Sequence, residues 1–343
     1  MVYDPLTDQR LDPRIRELLR FLPAPDRADA VSREEMLEHA ATPAARIATE
    51  TTAAYAALCD NEEVAPSAGL RVEVREIASS PDANTIKVQV VRPDNDDVVP
   101  CVYYIHGGGM ATLSSFYGNY RAWSRIVASY GVAMVLVEFR NSILASEVAE
   151  VAPYPAGLND CVSGLRWTLD HADLLGIDPH RVTVSGESGG GNLALATALT
   201  LKRDGDLHRV AGLYVLCPYI NGVWPDDRYP SSTENNGIFI NVRGNHGAVS
   251  YGLDAYEARD PLAWPGFATR EDVVGFPPTV ISVNECDPLR DEGIAFYRLL
   301  LSAGVPARGR QVLGTMHGTE LIPILCPEIT RDTARDIAAF ARS

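Results

Sequence analysis

Arg181-Val182-Thr183-Val184-Ser185-Gly186-Glu187-Ser188-Gly189-Gly190-Gly191-Asn192 decides the fold. Val182, Thr183 and Val184 form a β-branched run of the kind found in a strand buried on both faces. Gly186-Glu187-Ser188-Gly189-Gly190 follows, and Asn192 to Leu199 then reads as an apolar, Ala-rich helix. Strand, G-x-S-x-G and helix in that order make a nucleophile elbow, with Ser188 held in a sharp turn that only glycine neighbours can accommodate. A phosphate-binding loop is the competing interpretation. It fails because no Gly-Lys-[Ser/Thr] is present and the glycine spacing does not match G-x-G-x-x-G.

Working outward, unbroken apolar runs separated by helical patterns occur at Val99 to Ile105, Val132 to Phe139, Gly212 to Cys217 and Thr279 to Val283. Alternation of this kind predicts an α/β class protein with a mainly parallel sheet covered by helices on both faces. Leu70 to Ile77 and Thr85 to Val91 alternate strictly instead and predict an antiparallel hairpin at one edge. Residues 1–60 look helical, with Asp12-Pro13 starting one segment. Ser32 and Glu35 form a capping box for a second helix, which would run to about Leu58 with a break at Pro43. Residues 218–278, rich in Gly, Pro, Asn and aromatics, exceed any ordinary connection. They predict an insert on the 61–343 core that completes a lid with the N-terminal helices. Trp224, Phe239 and Tyr251 are its candidates to line a pocket, or else to pack the insert itself.

The chain has 343 residues and a formal net charge of −15, which argues against nucleic-acid and anionic-membrane partners. Its six cysteines, Cys59, Cys101, Cys161, Cys217, Cys286 and Cys326, are scattered without C-x-x-C spacing and read as buried, reduced thiols. The N-terminal residues lack a basic region followed by an apolar one, so a soluble, cytoplasmic protein is expected. Monomer and homodimer both remain open.

A serine hydroxyl needs a base to take its proton. Of the seven histidines, His39, His171, His180 and His208 fall in helical or turn segments away from strand ends. His246 lies in the polar insert and is expected at the surface. His317 follows Gln311-Val312-Leu313 on a loop, where open α/β sheets place reacting groups. It is the expected base. Asp287, on the loop after the strand ending at Val283, is the expected orienting acid, with Glu285 as runner-up. Asp291 and Glu292 read as first-turn residues of the next helix. His106-Gly107-Gly108-Gly109 follows the strand ending at Ile105. The N–H groups of Gly107, Gly108 and Gly189 are the expected oxyanion hole, with His106, Gly109 and Glu187 in support.

HGGGM, GESGGGN, DPLRDEG and the late MHG together resemble the hormone-sensitive-lipase-like family of α/β-hydrolases, from about Ala65 to the C-terminus. The likeness includes Phe139-Arg140-Asn141 and Pro155 to Cys161, and it implies that residues 1–60 are an N-terminal cap. It also implies an eight-stranded α/β-hydrolase sheet and a serine carboxylesterase needing no metal or organic cofactor, while a lid made of two segments should leave a confined pocket suited to short-acyl esters, with lactones as an alternative. Phe139-Arg140-Asn141-Ser142 departs from the Tyr-Arg-Leu-Ala-Pro-Glu common in the wider family, and Glu187 stands where many relatives have Asp. An amidase or thioesterase, or a non-catalytic binding protein on the same fold, are the alternatives. The presence of His317 weighs against the last.

Overall fold

The computed structural model describes residues 5–22 and 28–343. Eight strands, β1 (Leu70–Ala78), β2 (Thr85–Pro93), β3 (Val99–Ile105), β4 (Ala133–Glu138), β5 (Ile177–Glu187), β6 (Gly212–Leu216), β7 (Thr279–Asn284) and β8 (Ala307–Val312), form one sheet. Their order is β1-β2-β4-β3-β5-β6-β7-β8. β1 and β2 are the expected hairpin, and β2 also meets β4 antiparallel. From β4 onward the neighbouring strands are parallel. β5, which carries the elbow, lies between β3 and β6. The β3, β4, β6 and β7 residues are buried throughout, as their unbroken apolar runs require.

β8 begins earlier than its apolar residues suggest. Ala307-Arg308-Gly309-Arg310-Gln311-Val312 is an edge strand, partly exposed along its length. Of its arginines, Arg308 is exposed and bonds the Asp336 carboxylate, whereas Arg310 is half-buried and bonds the Tyr214 hydroxyl.

The helices are α1 (Pro13–Leu19), α2 (Arg33–Ala40), α3 (Pro43–Ala57), α4 (Gly118–Ala128), α5 (Ala156–Asp170), α6 (Ala172–Leu175) and α7 (Gly189–Asp204). The insert holds α8 (Ser231–Glu234), α9 (His246–Tyr251), α10 (Leu253–Glu257) and α11 (Arg270–Val273), and α12 (Arg290–Ser302) and α13 (Pro327–Arg342) complete the chain. One face of the sheet is covered by α5, α6, α7 and α12, the other by α4 and α13. Arg140, just past β4, is tied to the buried Asp160 of α5 by bonds of 2.8 and 3.0 Å, which fixes the β4 end.

The N-terminal helices break at Pro43 as expected. Ser32 Oγ accepts the Glu35 N–H at 3.2 Å, but Glu35 takes the N–H of Val31 rather than that of Ser32, so only half of the capping box forms. Ile15 and Leu19 of α1, with Leu11 just before it, are buried in a small cluster with Ile238, Cys286, Met316 and Cys326. The helix therefore buttresses the loops after β7 and β8. Arg33 donates to Ser142 O at 2.6 Å, and Ala30 exchanges two hydrogen bonds with Asn245 of the insert.

Candidate active site

β5 ends in the expected turn. Ser188 has φ 56° and ψ −120°, backbone angles that cost a non-glycine residue of order 1–3 kcal/mol. A Cβ on Gly190 would fall 2.0 Å from Ile105 O, and one on Gly186 would fall 2.3 Å from Gly190 O, so the flanking glycines are sterically required. The strained residue is held on both sides. Its N–H donates to Leu216 O at 3.0 Å, and its carbonyl accepts from Asn192 N at 3.0 Å and Tyr219 N at 3.1 Å.

The loops after β7 and β8 bring an acid and an imidazole together. Asp287 is wholly buried; its Oδ2 lies 2.8 Å from His317 Nδ1, and its Oδ1 accepts the Leu289 N–H at 2.8 Å. Glu285, the other candidate acid, instead accepts the Gly314 N–H at 2.8 Å. His39, His171, His180 and His208 are exposed. Burial works against a charged His317, yet the Asp287 carboxylate holds its pKa well above the usual histidine range.

Cys217, at the end of β6, is a neighbour that sequence reasoning missed. It has φ 34°, and its sulfur lies within 4.8 Å of the ligand-type atoms of both Asp287 and His317. Burial pushes this thiol up to about 11, so it is neutral at ordinary pH and leaves the imidazolium to Asp287. A Cys-Pro after an apolar strand carries no sequence signal for such a position. Within this trio, Asp287 Oδ2 and His317 Nδ1 are already hydrogen-bonded to each other at 2.8 Å. Asp12, Cys326 and Glu328 form a second trio, but Arg14 already bonds both of its carboxylates.

The glycine loop after β3 corrects one expectation. Gly107 N–H is not free for an oxyanion, because it donates to Glu187 Oε1 at 2.6 Å, with Tyr120 Oη 3.1 Å away. Gly108 and Gly109 line the cavity instead, and the Gly189 Cα packs against the Gly109 and Met110 amides. Of the three loop glycines, Gly108 and Gly109 are thus the ones on the cavity, and Gly107 is the one whose N–H is already bonded. His106 is buried beneath the loop, stacked on Phe139 at 4.3 Å with Nδ1 2.9 Å from Gly107 O, and burial lowers its pKa.

Ser188, His317, Gly108, Gly109 and Glu187 all line one cavity of about 550 Å³. Its walls are mostly apolar: Leu18, Leu22 and Tyr55 from the N-terminal segment, Leu113 and Tyr117 from the core, and Ile322 and Ile324 beyond β8. Of the three insert aromatics singled out in the sequence, Phe239 lines it, whereas Trp224 and Tyr251 are buried in the main core; Tyr219, at the start of the insert, lines it as well. His246, expected at the surface, and Arg243 also line it. Neither belongs to a recognisable motif.

The family described as having the alpha/beta hydrolase fold matches residues 102–321. The carboxylesterase NlhH of Mycobacterium tuberculosis is 30% identical over 278 residues, 80% of this chain and 83% of its own. Esterase Est22, solved with p-nitrophenol, is 58% identical with a TM-score of 0.96, covering 98% of this chain and 99% of its own. It has also been solved as an S188A mutant. Brefeldin A esterase, a bacterial homologue of human hormone-sensitive lipase, is 35% identical with a TM-score of 0.86, covering 98% of this chain and 94% of its own.

Proposed function

This chain belongs to the α/β-hydrolase fold family and is a carboxylic ester hydrolase, and we propose that it works through an acyl-enzyme on Ser188. The observation that carries this reading is the joint placement of a strained Ser188 and an Asp287-paired His317 on one cavity. Because Nδ1 faces Asp287, Nε2 is the nitrogen left to take the serine proton. The hydroxyl oxygen then attacks the ester carbonyl, and the imidazolium returns its proton to the leaving alkoxide. N–H groups of Gly108, Gly109 and Gly189 receive the oxyanion, and water activated by the same imidazole clears the acyl group.

The N-terminal helices and the 218–278 insert act as a two-part lid, a role their shared lining of the cavity supports. A short acyl chain occupies a minor part of 550 Å³, a volume ordinary for small-molecule sites, and the remainder suits an apolar alcohol or a macrolactone ring. Six free, buried cysteines support a reducing, cytoplasmic setting.

Covalent labelling with a fluorophosphonate tests the nucleophile. Ser188→Ala should abolish labelling and lower kcat by about a millionfold. A p-nitrophenyl ester series run alongside should favour acetate and butyrate, and faster turnover of long-chain esters would refute the short-acyl reading.

A further inference from the structure

The residue before the nucleophile carries a carboxylate that nothing in the reaction above uses. Glu187 is 5% exposed and lines the cavity, and three donors from three elements converge on it. Oε1 accepts the Gly107 N–H at 2.6 Å and the Tyr120 hydroxyl of α4 at 2.5 Å, and Oε2 accepts the Tyr104 hydroxyl of β3 at 2.7 Å. No Arg, Lys or His bonds it among the described residues. A buried carboxylate without a cation is costly, and an apolar side chain would fill the space more cheaply. What an apolar side chain could not do is hold the glycine loop.

We propose that Glu187 is a positioning residue for the oxyanion hole, clamping Gly107 so that the Gly108 and Gly109 N–H groups face the carbonyl attacked by Ser188. β3 and β5 are neighbours, with Ile105 opposite Gly186, so the glycine loop and the elbow leave the sheet side by side. The Glu187 side chain bridges them. The loop backbone lies directly on the carboxylate, since a Cβ on Gly107 would come 2.3 Å from Oε1. Tyr104 and Tyr120 fix the carboxylate from behind, so its direction is set by β3 and α4 rather than by the mobile substrate. The motif offers three glycines, and Glu187 selects which two serve. Misplacing such donors by about 1 Å can cost on the order of a hundredfold in rate.

This inference rests on Ser188 being the nucleophile, and the test separates the two. Glu187→Gln keeps the size but turns an amide NH₂ toward a donor. Its kcat should fall about a hundredfold with KM changed less than threefold. Affinity for a trifluoromethyl ketone, which forms an oxyanion on the serine, should fall with kcat. Affinity for the matching methyl ketone, which forms none, should hold. A folded Glu187→Gln with kcat within twofold of the parent overturns the inference, as does an equal loss of affinity for both ketones. If Glu187→Gln does not fold, Tyr120→Phe decides. A threefold or larger drop in the ratio of trifluoromethyl to methyl ketone affinity supports the clamp, and an unchanged ratio overturns it. Labelling that survives Ser188→Ala would instead sink the nucleophile, whereas a silent Glu187→Gln in a Ser188-dependent enzyme sinks only the clamp.

Discussion

Asp287 gives one carboxylate oxygen to the Leu289 N–H and the other to His317 Nδ1, so it fixes both the ring and the tautomer of the imidazole. Asp287→Asn keeps the shape but presents an amide, which favours the wrong tautomer. It should lower kcat by about ten-thousandfold while the chain stays folded. Glu285→Gln retains an acceptor for the Gly314 N–H and should leave kcat near the parental value, so steady-state kinetics on the pair separates the candidates. Had Glu285→Gln been the inactive one, the acid would be misassigned. Ser188, Asp287 and His317 are legible in sequence because each sits where a strand must end, in an order the fold imposes. Which glycine amides remain free is not legible. The answer turns on Glu187 reaching Gly107, a contact between residues 80 positions apart that no local pattern encodes. Cys217 is hidden for a similar reason, its place beside His317 being set by how β6 and β7 pair.

At the scale of elements, strands with apolar runs declare themselves, while β8 is obscured because its partly exposed edge position accommodates Arg308 and Arg310 in place of apolar residues. The insert is harder still. Its helices α8 to α11 span four to six residues each, too short to show a period, and its order comes from outside. Glu292, expected as a first-turn residue of α12, is there, yet it is 1% exposed and has a second task. It accepts from Ile220 N at 2.7 Å, Trp224 Nε1 at 2.7 Å and Asn221 Nδ2 at 3.1 Å, which pins the start of the insert to the core. Glu292→Ala leaves those donors unpaired beside a void, and it should destabilise the protein by about 3 kcal/mol in denaturant titration. Trypsin should then cut within 218–278, at Arg228, Arg243 or Arg259, before the core yields. Uniform cleavage across the chain would show that the insert does not depend on this anchor.

For the molecule as a whole, stability and activity should run in opposite directions with pH. Burial raises the carboxyl of Glu187 from 4.5 to about 7 and that of Glu292 to about 8, and it raises Glu320 as well. Each keeps its proton in the folded chain after the unfolded chain has released it, so stability declines as pH climbs from about 4.5 toward 8. His317 adds to the same trend: its folded pKa lies above the unfolded one, so its contribution is complete below about 6.5 and is lost as pH rises through the folded value. Self-repulsion at a net charge of −15 deepens the decline. In the opposite sense, Arg14, Arg181 and Arg228 bond and depress Asp12, Asp178 and Asp226, whose stabilisation is lost only as pH falls below about 4. Maximal Tm is therefore expected near pH 5. Catalysis needs the unprotonated imidazole of His317, which the Asp287 carboxylate holds charged above the usual histidine range, so kcat/KM should rise with pH over the span in which stability falls. Paired scans of Tm and kcat/KM from pH 5 to 9 check this directly, and the proton linkage of these groups is refuted if the two curves climb together.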